Sequence, residues 1–286
     1  MKIEKVSIIG VGLIGGSLGL ALKKKGLASK IVGIGRRETS LREALRVGAV
    51  DEITLDLKEG VSEADLVVLA VPVGSILKIG REIVPHLKQG AILTDVGSTK
   101  EEIVRTLGIL TKDFVGAHPM AGSNESGVAK ATASLFEKAT CVITPTGKTS
   151  KKALNVVENL WKKVGARVVK MSPETHDFLV AITSHLPHLA ASSLVSLAAR
   201  EKEKIAPLIA TGFKDTTRIA SSDPRLWSDI FLSNKEMVLS ALKEYKEILS
   251  EWEELIREED QEGIRLKFGQ AASWWRENVR SYDQTG

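Results

Sequence analysis

The chain has 286 residues, of which 43% are hydrophobic and 27% charged, an ordinary composition for a globular protein of two domains. Forty basic against 36 acidic residues leave a net charge of only +4, and the lysines are interleaved with glutamates, which argues against a nucleic-acid partner and fits an anionic metabolite. The single cysteine, Cys141, excludes an internal disulfide framework and fits a reducing compartment.

The first predicted strand, residues 6–9, runs directly into a Gly-x-Gly-x-x-Gly turn and then into a predicted helix. Gly10 allows the tight turn, Gly12 lets backbone N–H groups approach a pyrophosphate, and Gly15 lets the helix pack against the strand. The strand before and the helix after distinguish this pattern from a tight turn without a ligand. The turn therefore predicts a dinucleotide site. The other expected cofactor contacts near it are Leu13, Ile14 and Val71.

Residues 6–22 carry no charge and follow Lys2 and Lys5, a pattern that is also typical of a signal-peptide core or a membrane anchor. Five glycines weaken such a helix, and 17 residues are short for a membrane span. We therefore expect a soluble, cytoplasmic protein with no membrane partner.

Apolar runs that favour strands alternate with runs that favour helices up to about residue 170. Strands are predicted at residues 6–9, 30–34, 66–71, 91–95, 114–117, 141–144 and 167–169, and helices at residues 17–25, 40–47, 75–85, 100–107 and 150–164. Continuously apolar strands are typical of a parallel sheet covered on both faces. We expect an α/β fold, a doubly wound parallel sheet of the Rossmann type over residues 1–170, with ligands beyond the carboxyl ends of its strands.

After Met171 the pattern is helical. Pro173 followed by Glu174 indicates a helix start, leading into an apolar helix to about residue 199, and helical periodicity continues over residues 202–210, 224–245 and 249–282. We expect an all-α dimerisation domain over residues 171–286. Its four tryptophans are interpreted as packing, including packing between two copies: Trp227, Trp252, Trp274 and Trp275.

Two polar clusters follow predicted strands of the first domain. In the first, the strand ending at Asp95 leads into Gly97, Ser98 and Thr99. The hydroxyls there are candidates for a role in catalysis, and the alternative is that one of them caps the next helix. In the second, His118 follows a strand and would face the cofactor cleft. Histidine has an ordinary pKa near neutral pH, which suits a general base. A surface-loop histidine is the alternative.

Two more clusters lie in the helical region. His185 and His188 share a helix face, and Pro187 between them is expected to kink the helix. They lack companions for a zinc site, so no metal is expected, and buried histidines at the kink are the alternative. Arg218 lies among polar residues and could bind a carboxylate with two hydrogen bonds, with a structural Asp215–Arg218 pair as the alternative.

The segments GLIGGS, DVGSTK, HPMAGS, SHLPH and GFKDTTRIA follow one another over about residues 5–270. In this order they resemble the prephenate and arogenate dehydrogenase family of tyrosine biosynthesis. The resemblance implies a Rossmann domain followed by a helical dimerisation domain, an NAD(P) cofactor and a homodimer. It implies oxidative decarboxylation of a cyclohexadienol, with prephenate as the expected substrate. Arogenate, or both compounds, is the alternative.

The resemblance also implies roles for single residues. His118 matches the family's base for the substrate hydroxyl, and Ser98 matches the hydroxyl that hydrogen-bonds its imidazole. His188 matches a residue in contact with substrate or nicotinamide, and Arg218 matches the arginine that binds a substrate carboxylate. Ser123, which ends the HPMAGS segment, is expected to contact substrate.

Two departures from the family pattern affect these expectations. Many relatives have a glutamate directly after the HPMAGS segment, whereas this chain has Asn124 there and Glu125 one position later. This shift puts a gating role of that carboxylate in doubt. The second strand ends at Gly35 without the acidic residue that binds an NAD ribose, and Arg36 and Arg37 follow. We expect NADP to bind at least as well as NAD, unless both arginines lie on a solvated turn. Competing functions are a hydroxyacid or imine reductase and a non-catalytic nucleotide sensor.

Overall fold

A computed structural model describes residues 2–122 and 127–280, apart from the side chains of Lys202 and Arg280. An eight-stranded sheet with flanking helices forms the first part of the chain. Its strands are β1 (Ile3–Ile9), β2 (Ala28–Ile34), β3 (Glu52–Thr54), β4 (Leu66–Leu69), β5 (Ile92–Asp95), β6 (Phe114–Pro119), β7 (Thr140–Thr144) and β8 (Arg167–Lys170). Its helices are α1 (Leu13–Lys24), α2 (Glu38–Arg46), α3 (Leu57–Ser62), α4 (Val73–Ile83), α5 (Glu101–Leu110) and α6 (Lys151–Lys163).

The strand order is β3-β2-β1-β4-β5-β6-β7-β8, and all neighbours but one are parallel. The chain first builds outward from β1 to β3 and then returns to add β4 on the other side. Helices cover both faces, with separate apolar cores on each. The predicted doubly wound sheet is confirmed, and the strand order reverses between β1 and β4, where such folds bind ligands.

The sheet departs from the prediction in three places. β7 pairs antiparallel with β6, because the described part of their connection contains only the short 3-10 turn Val128–Lys130 and no crossover helix. The three-residue strand β3 and the six-residue helix α3 are absent from the predicted elements. Both are too short to show a period in the sequence.

Seven helices follow β8 in the described residues, and no further strand occurs there. They are α7 (Pro173–Val180), α8 (Leu186–Ala198), α9 (Lys202–Ile205), α10 (Thr211–Thr217), α11 (Pro224–Ser233), α12 (Lys235–Arg257) and α13 (Gln261–Trp275). A π-helical turn, Ala181–His185, separates α7 from α8 at the place where the sequence predicts a kink. Pro187 has no backbone N–H to continue the α-helical hydrogen bonding, which explains the break in pattern there.

The chain separates into two compact units, residues 1–235 and 236–286. In the first unit, α7 packs against α5 and β7, and α11 packs against α4. In the second, Trp252 contacts Phe268 with ring centroids 4.8 Å apart, while Trp274 and Trp275 are 63% and 53% exposed. Those two tryptophans are therefore not core residues of a single chain. The domain boundary at residue 170 stays a prediction, since it follows secondary structure rather than compactness.

The helical stretch Pro173–Glu201 is long and apolar enough to cross a membrane by length and composition, and 22% of its most apolar window is buried. Its inner face carries His176, Asp177 and His185, which are buried and polar. Asp177 accepts hydrogen bonds from the backbone of α5. These contacts tie the stretch to the sheet part of the protein, and they are incompatible with a lipid environment on that face.

Candidate active site

The glycine turn between β1 and α1 has the open geometry that a phosphate requires. Gly10 has φ +93°, and a Cβ there would collide with the carbonyl oxygen of Ala70 and crowd Val71. A Cβ on Gly12 would meet no atom within 4 Å. No side chain caps the N-terminus of α1, and its first turn carries no acidic residue. The free backbone N–H groups fit the pyrophosphate of a dinucleotide.

Arg36 and Arg37 follow β2 at the same edge of the sheet, because β2 is parallel to β1 and adjacent to it. Both side chains are exposed. Neither forms an ion pair or a side-chain hydrogen bond within residues 2–122 and 127–280, although Glu38 comes next in the chain and instead pairs with Arg42. The two guanidinium groups are free to meet an anion.

A buried ion pair lies where β5 ends. Asp95 and Lys100 are fully buried, and Lys100 Nζ donates to Asp95 Oδ2. The same carboxylate accepts from the backbone N–H groups of Gly97, at 2.8 Å, and Ala117, at 3.3 Å. Asp95 therefore holds together the turn after β5 and the last residues of β6. This arrangement fixes the loop that carries Ser98 relative to His118.

The hydroxyls of Ser98 and Thr99 do not cap the N-terminus of α5. Instead, Asp177 on α7 accepts from the backbone N–H groups of Lys100 (2.7 Å) and Glu101 (2.9 Å). Thr99 Oγ1 donates to Ser233 Oγ. Among the described residues Ser98 makes no side-chain hydrogen bond, so its bond to the His118 imidazole stays a prediction.

The imidazole of His118 instead bonds to a second histidine. His118 Nδ1 lies 2.9 Å from His176 Nε2, and His176 Nδ1 lies 2.7 Å from Asp177 Oδ1. His118 is half-buried at the end of β6, whereas His176 and Asp177 are buried on α7. The three side chains form a continuous chain from a carboxylate to the ring that faces the cleft. His118 Nε2 has no partner among the described residues.

Burial holds the pKa of His118 well below its ordinary value of 6.5, and the nearby His176, Lys100 and His185 lower it further. Burial also lowers the pKa of His176, although its bond to Asp177 opposes the shift. Both rings are therefore neutral at neutral pH. A neutral imidazole with a free Nε2 lone pair is able to accept a proton.

The two histidines of the SHLPH segment differ in environment. His188 is half-buried, donates Nδ1–H to the carbonyl of Ser184 at 3.0 Å, and stacks on Trp227 with ring centroids 3.4 Å apart. His185 is buried beside Asn234, and burial lowers its pKa to about 4. His185 thus fits the structural alternative, whereas His188 keeps Nε2 free. The described residues contain no group of three metal-binding side chains.

Arg218 is exposed, and its guanidinium forms no ion pair with Asp215 or any other described residue. Its neighbours Ile219 and Ala220 line an open cavity of about 590 Å³ together with His188. His118 and Ser98 do not line this cavity. Arg218 itself does not line it, so the described contacts bring Arg218 together with neither His188 nor His118. Ser123, Asn124 and Glu125 lie outside the described residues.

Three residues of the site were missed from sequence: Lys100, His176 and Asp177. The available signal was the adjacent His176-Asp177 pair one turn after the start of the helix and directly before an apolar run, since polar residues buried there need partners. Cys141, by contrast, has its expected role: it is buried on β7, and burial raises the pKa of its thiol.

Known proteins match this chain along its length. Residues 18–170 match the family described as prephenate dehydrogenase, nucleotide-binding domain, and residues 172–270 match prephenate dehydrogenase, dimerization domain. Prephenate dehydrogenase of Bacillus subtilis is 38% identical over 279 residues, which are 95% of this chain and 75% of that protein.

Two solved structures are similar over nearly the whole fold. Prephenate dehydrogenase of Aquifex aeolicus, in complex with hydroxyphenyl propionate and NAD+, has a TM-score of 0.89 and 36% identity, covering 98% of this chain and 99% of that one. Synechocystis arogenate dehydrogenase has a TM-score of 0.83 and 29% identity, covering 94% and 98%.

The fold, the glycine turn and the neutral histidine at the cleft define a dehydrogenase with a nucleotide-binding Rossmann domain. With both family domains matched in order, the chain belongs to the prephenate dehydrogenase family.

Proposed function

We propose that this protein is a prephenate dehydrogenase that converts prephenate to 4-hydroxyphenylpyruvate and CO₂ with NAD(P)+. The observation that carries the proposal is the His118 ring, which is neutral at neutral pH and has Nδ1 bonded to His176, while Nε2 has no partner among the described residues. A base of this kind, at the same edge of the sheet as an open glycine turn, suits removal of a hydroxyl proton during hydride loss. The names of the relatives agree with this substrate.

The glycine turn would hold NAD(P)+, which would supply the hydride acceptor for the ring carbon that bears the hydroxyl. His118 Nε2 accepts the hydroxyl proton as that carbon becomes a carbonyl. As the ring carboxylate leaves as CO₂, the electron pair of the broken C–C bond enters the ring and reaches the carbonyl oxygen, which takes a proton back from His118 to become the phenol. The ring becomes aromatic, which supplies much of the driving force. Ser98 and His188 are proposed to orient the substrate, together with Ser123 in the undescribed segment. Orientation and one neutral base are what the protein must contribute.

The test is a direct assay. Purified protein is mixed with prephenate and NAD+ or NADP+, and the absorbance of the reduced cofactor is followed together with formation of 4-hydroxyphenylpyruvate. Arogenate is assayed in parallel, because it differs from prephenate only in carrying an amine in place of the side-chain ketone. The proposal would be refuted if the enzyme turned over neither prephenate nor arogenate. A hydroxyacid reductase would instead reduce the cofactor with simple hydroxyacids, and a nucleotide sensor would bind it without turnover.

Arg218 is proposed to bind a substrate carboxylate with both of its terminal nitrogens. Arg218→Lys keeps the charge but loses the paired hydrogen bonds, which should cost roughly 1.5–3 kcal/mol and raise KM for prephenate about ten- to a hundredfold. Cofactor affinity should not change. Arg225→Lys, an exposed arginine on α11, is the matched control. An unaltered KM in a folded Arg218→Lys enzyme would remove Arg218 from the site.

Arg36 and Arg37 are proposed to pair with the 2′-phosphate of NADP, with Thr39 or Ser40 adding a hydrogen bond. Gly35, directly after β2, leaves that position without a carboxylate to repel the phosphate, and Glu38 pairs with Arg42, so kcat/KM with NADP+ should equal or exceed that with NAD+. Arg36→Ala should lower kcat/KM for NADP+ about tenfold and leave NAD+ unaffected, since one charge-assisted bond is lost. Arg46→Ala, on the far end of α2, is the control. A tenfold preference for NAD+ that Arg36→Ala does not alter would exclude this phosphate site.

The protein is further proposed to act as a cytoplasmic homodimer. The described part of the helical region exposes large apolar side chains, which a second copy would cover: among them Leu197, Leu208, Leu232, Leu266, Phe268 and Trp274. The family description of residues 172–270 as a dimerization domain supports this assignment.

A further inference from the structure

We propose that Asp177 and His176 are positioning residues that hold the His118 imidazole in the tautomer with its hydrogen on Nδ1, so that the Nε2 lone pair meets the substrate hydroxyl. The inference deepens the proposed function and rests on it for the identity of the substrate. The tautomer itself can be measured in the enzyme alone.

The first step is the fixed carboxylate of Asp177. Its Oδ1 accepts from the backbone N–H of Lys100 at 2.7 Å, and its Oδ2 accepts from the backbone N–H of Glu101 at 2.9 Å. Both donors are at the N-terminus of α5, where the helix dipole favours an anion. Since both oxygens act as acceptors, the contact between Oδ1 and His176 Nδ1, at 2.7 Å, requires the hydrogen to be on the histidine.

The second step is the neutral ring of His176. Its side chain is fully buried, and burial lowers its pKa, so it carries one hydrogen at neutral pH. That hydrogen is on Nδ1, which leaves Nε2 as an acceptor only. His118 Nδ1, 2.9 Å away, must therefore donate. The hydrogen of the neutral His118 ring is then on Nδ1, and Nε2 carries the lone pair.

The third step concerns charge during turnover. When His118 Nε2 accepts the substrate proton, the ring becomes a cation near the other groups that interact with it, Lys100 at the start of α5 and His185 before α8. The positive charge of Lys100 is already paired with the Asp95 carboxylate. The bond from His118 Nδ1–H to His176 becomes charge-assisted, and the Asp177 anion lies at the far side of His176. The chain therefore stabilises the protonated base as well as orienting the free one.

Two substitutions at His176 separate this role from simple packing. His176→Gln can present an amide oxygen to His118 Nδ1–H, whereas His176→Leu fills similar space without an acceptor. For His176→Leu we expect kcat to fall by up to about 10⁴-fold, the loss that a wrong histidine tautomer causes in a Ser-His-Asp triad, while KM for prephenate is nearly unchanged. His176→Gln should recover most of the loss. His86→Leu, in the turn after α4, is the matched control.

The readout independent of activity is nitrogen NMR of ¹⁵N-histidine-labelled enzyme without substrate. The His118 signals are assigned by their disappearance in His118→Asn. In the wild type, Nδ1 should be protonated and Nε2 not, and in His176→Leu the Nε2–H form should appear. Thermal unfolding and cofactor binding confirm that each variant is folded. If His176→Leu does not fold, the wild-type tautomer and His176→Gln decide the question.

A wild-type His118 protonated on Nε2, or a folded His176→Leu enzyme with full kcat, would overturn this inference. Failure of the proposed function is a different result: the wild type would then not turn over prephenate or arogenate, while the NMR measurement would still report the tautomer.

Discussion

His118→Asn should lower kcat by about 10²–10⁴, the usual contribution of a positioned general base. Asparagine retains a polar side chain at the end of β6, so the fold and cofactor binding should be preserved. It has no group able to accept the hydroxyl proton, and the chain from Asp177 through His176 then ends without a base. Steady-state kinetics at saturating prephenate, together with cofactor binding measured by nucleotide fluorescence, would check this. Wild-type turnover in the variant would eliminate the mechanism.

The pH profile gives the same prediction a second readout. Burial holds the pKa of His118 well below 6.5 in the free enzyme. The imidazole is active when neutral, so kcat/KM should stay level as the pH falls through 6.5 and decline only at lower pH, where the ring becomes protonated. This acid limb should be missing from the residual activity of His118→Asn. A limb centred above pH 6.5, or one that persists in the variant, would assign the titration to another group.

The sheet was predictable because its signals are local. Buried parallel strands such as β4 and β5 are continuous apolar runs, and the glycine turn requires a conformation that the sequence states directly at Gly10. The direction of β7 was not predictable in this way. Its residues read the same in either direction, and only the absence of a crossover helix in the described connection selects the antiparallel pairing.

The site was predictable in part for a related reason. His118 lies at the carboxyl end of β6, where ligands bind in this fold class, so its position could be predicted from the fold class. Its partner does not, because His176 is 58 residues further along the chain, and only the packing of α7 against α5 and β7 brings the rings together. The group that caps α5 was not predictable for the same reason: Ser98 and Thr99 are the local candidates, but the carboxylate that accepts from the first backbone N–H groups is Asp177 on α7.

Lys100→Met should destabilise the protein by about 3–5 kcal/mol, because it leaves the buried carboxylate of Asp95 without a counter-charge. The lysine ammonium is fully buried with that carboxylate, whose other partners are two neutral backbone N–H groups. Lys88→Met removes a lysine from Asp65 in a pair whose side chains are each 36% exposed. This control should cost less than about 1 kcal/mol. Chemical unfolding of both variants at neutral pH makes the comparison.

The pH dependence of this loss identifies its cause. Burial raises the pKa of Asp95 even with Lys100 present, and removal of the ammonium raises it further. Because the carboxyl pKa of Asp95 is higher in the folded state than in the unfolded state, the folded state binds a proton more readily as the pH falls. The loss of unfolding free energy caused by Lys100→Met should therefore shrink at lower pH. Adding Asp95→Asn should recover most of the stability at neutral pH, since no buried charge then remains. If Lys100→Met costs no more than Lys88→Met, or if its cost is independent of pH, Asp95 does not depend on Lys100 for its charge.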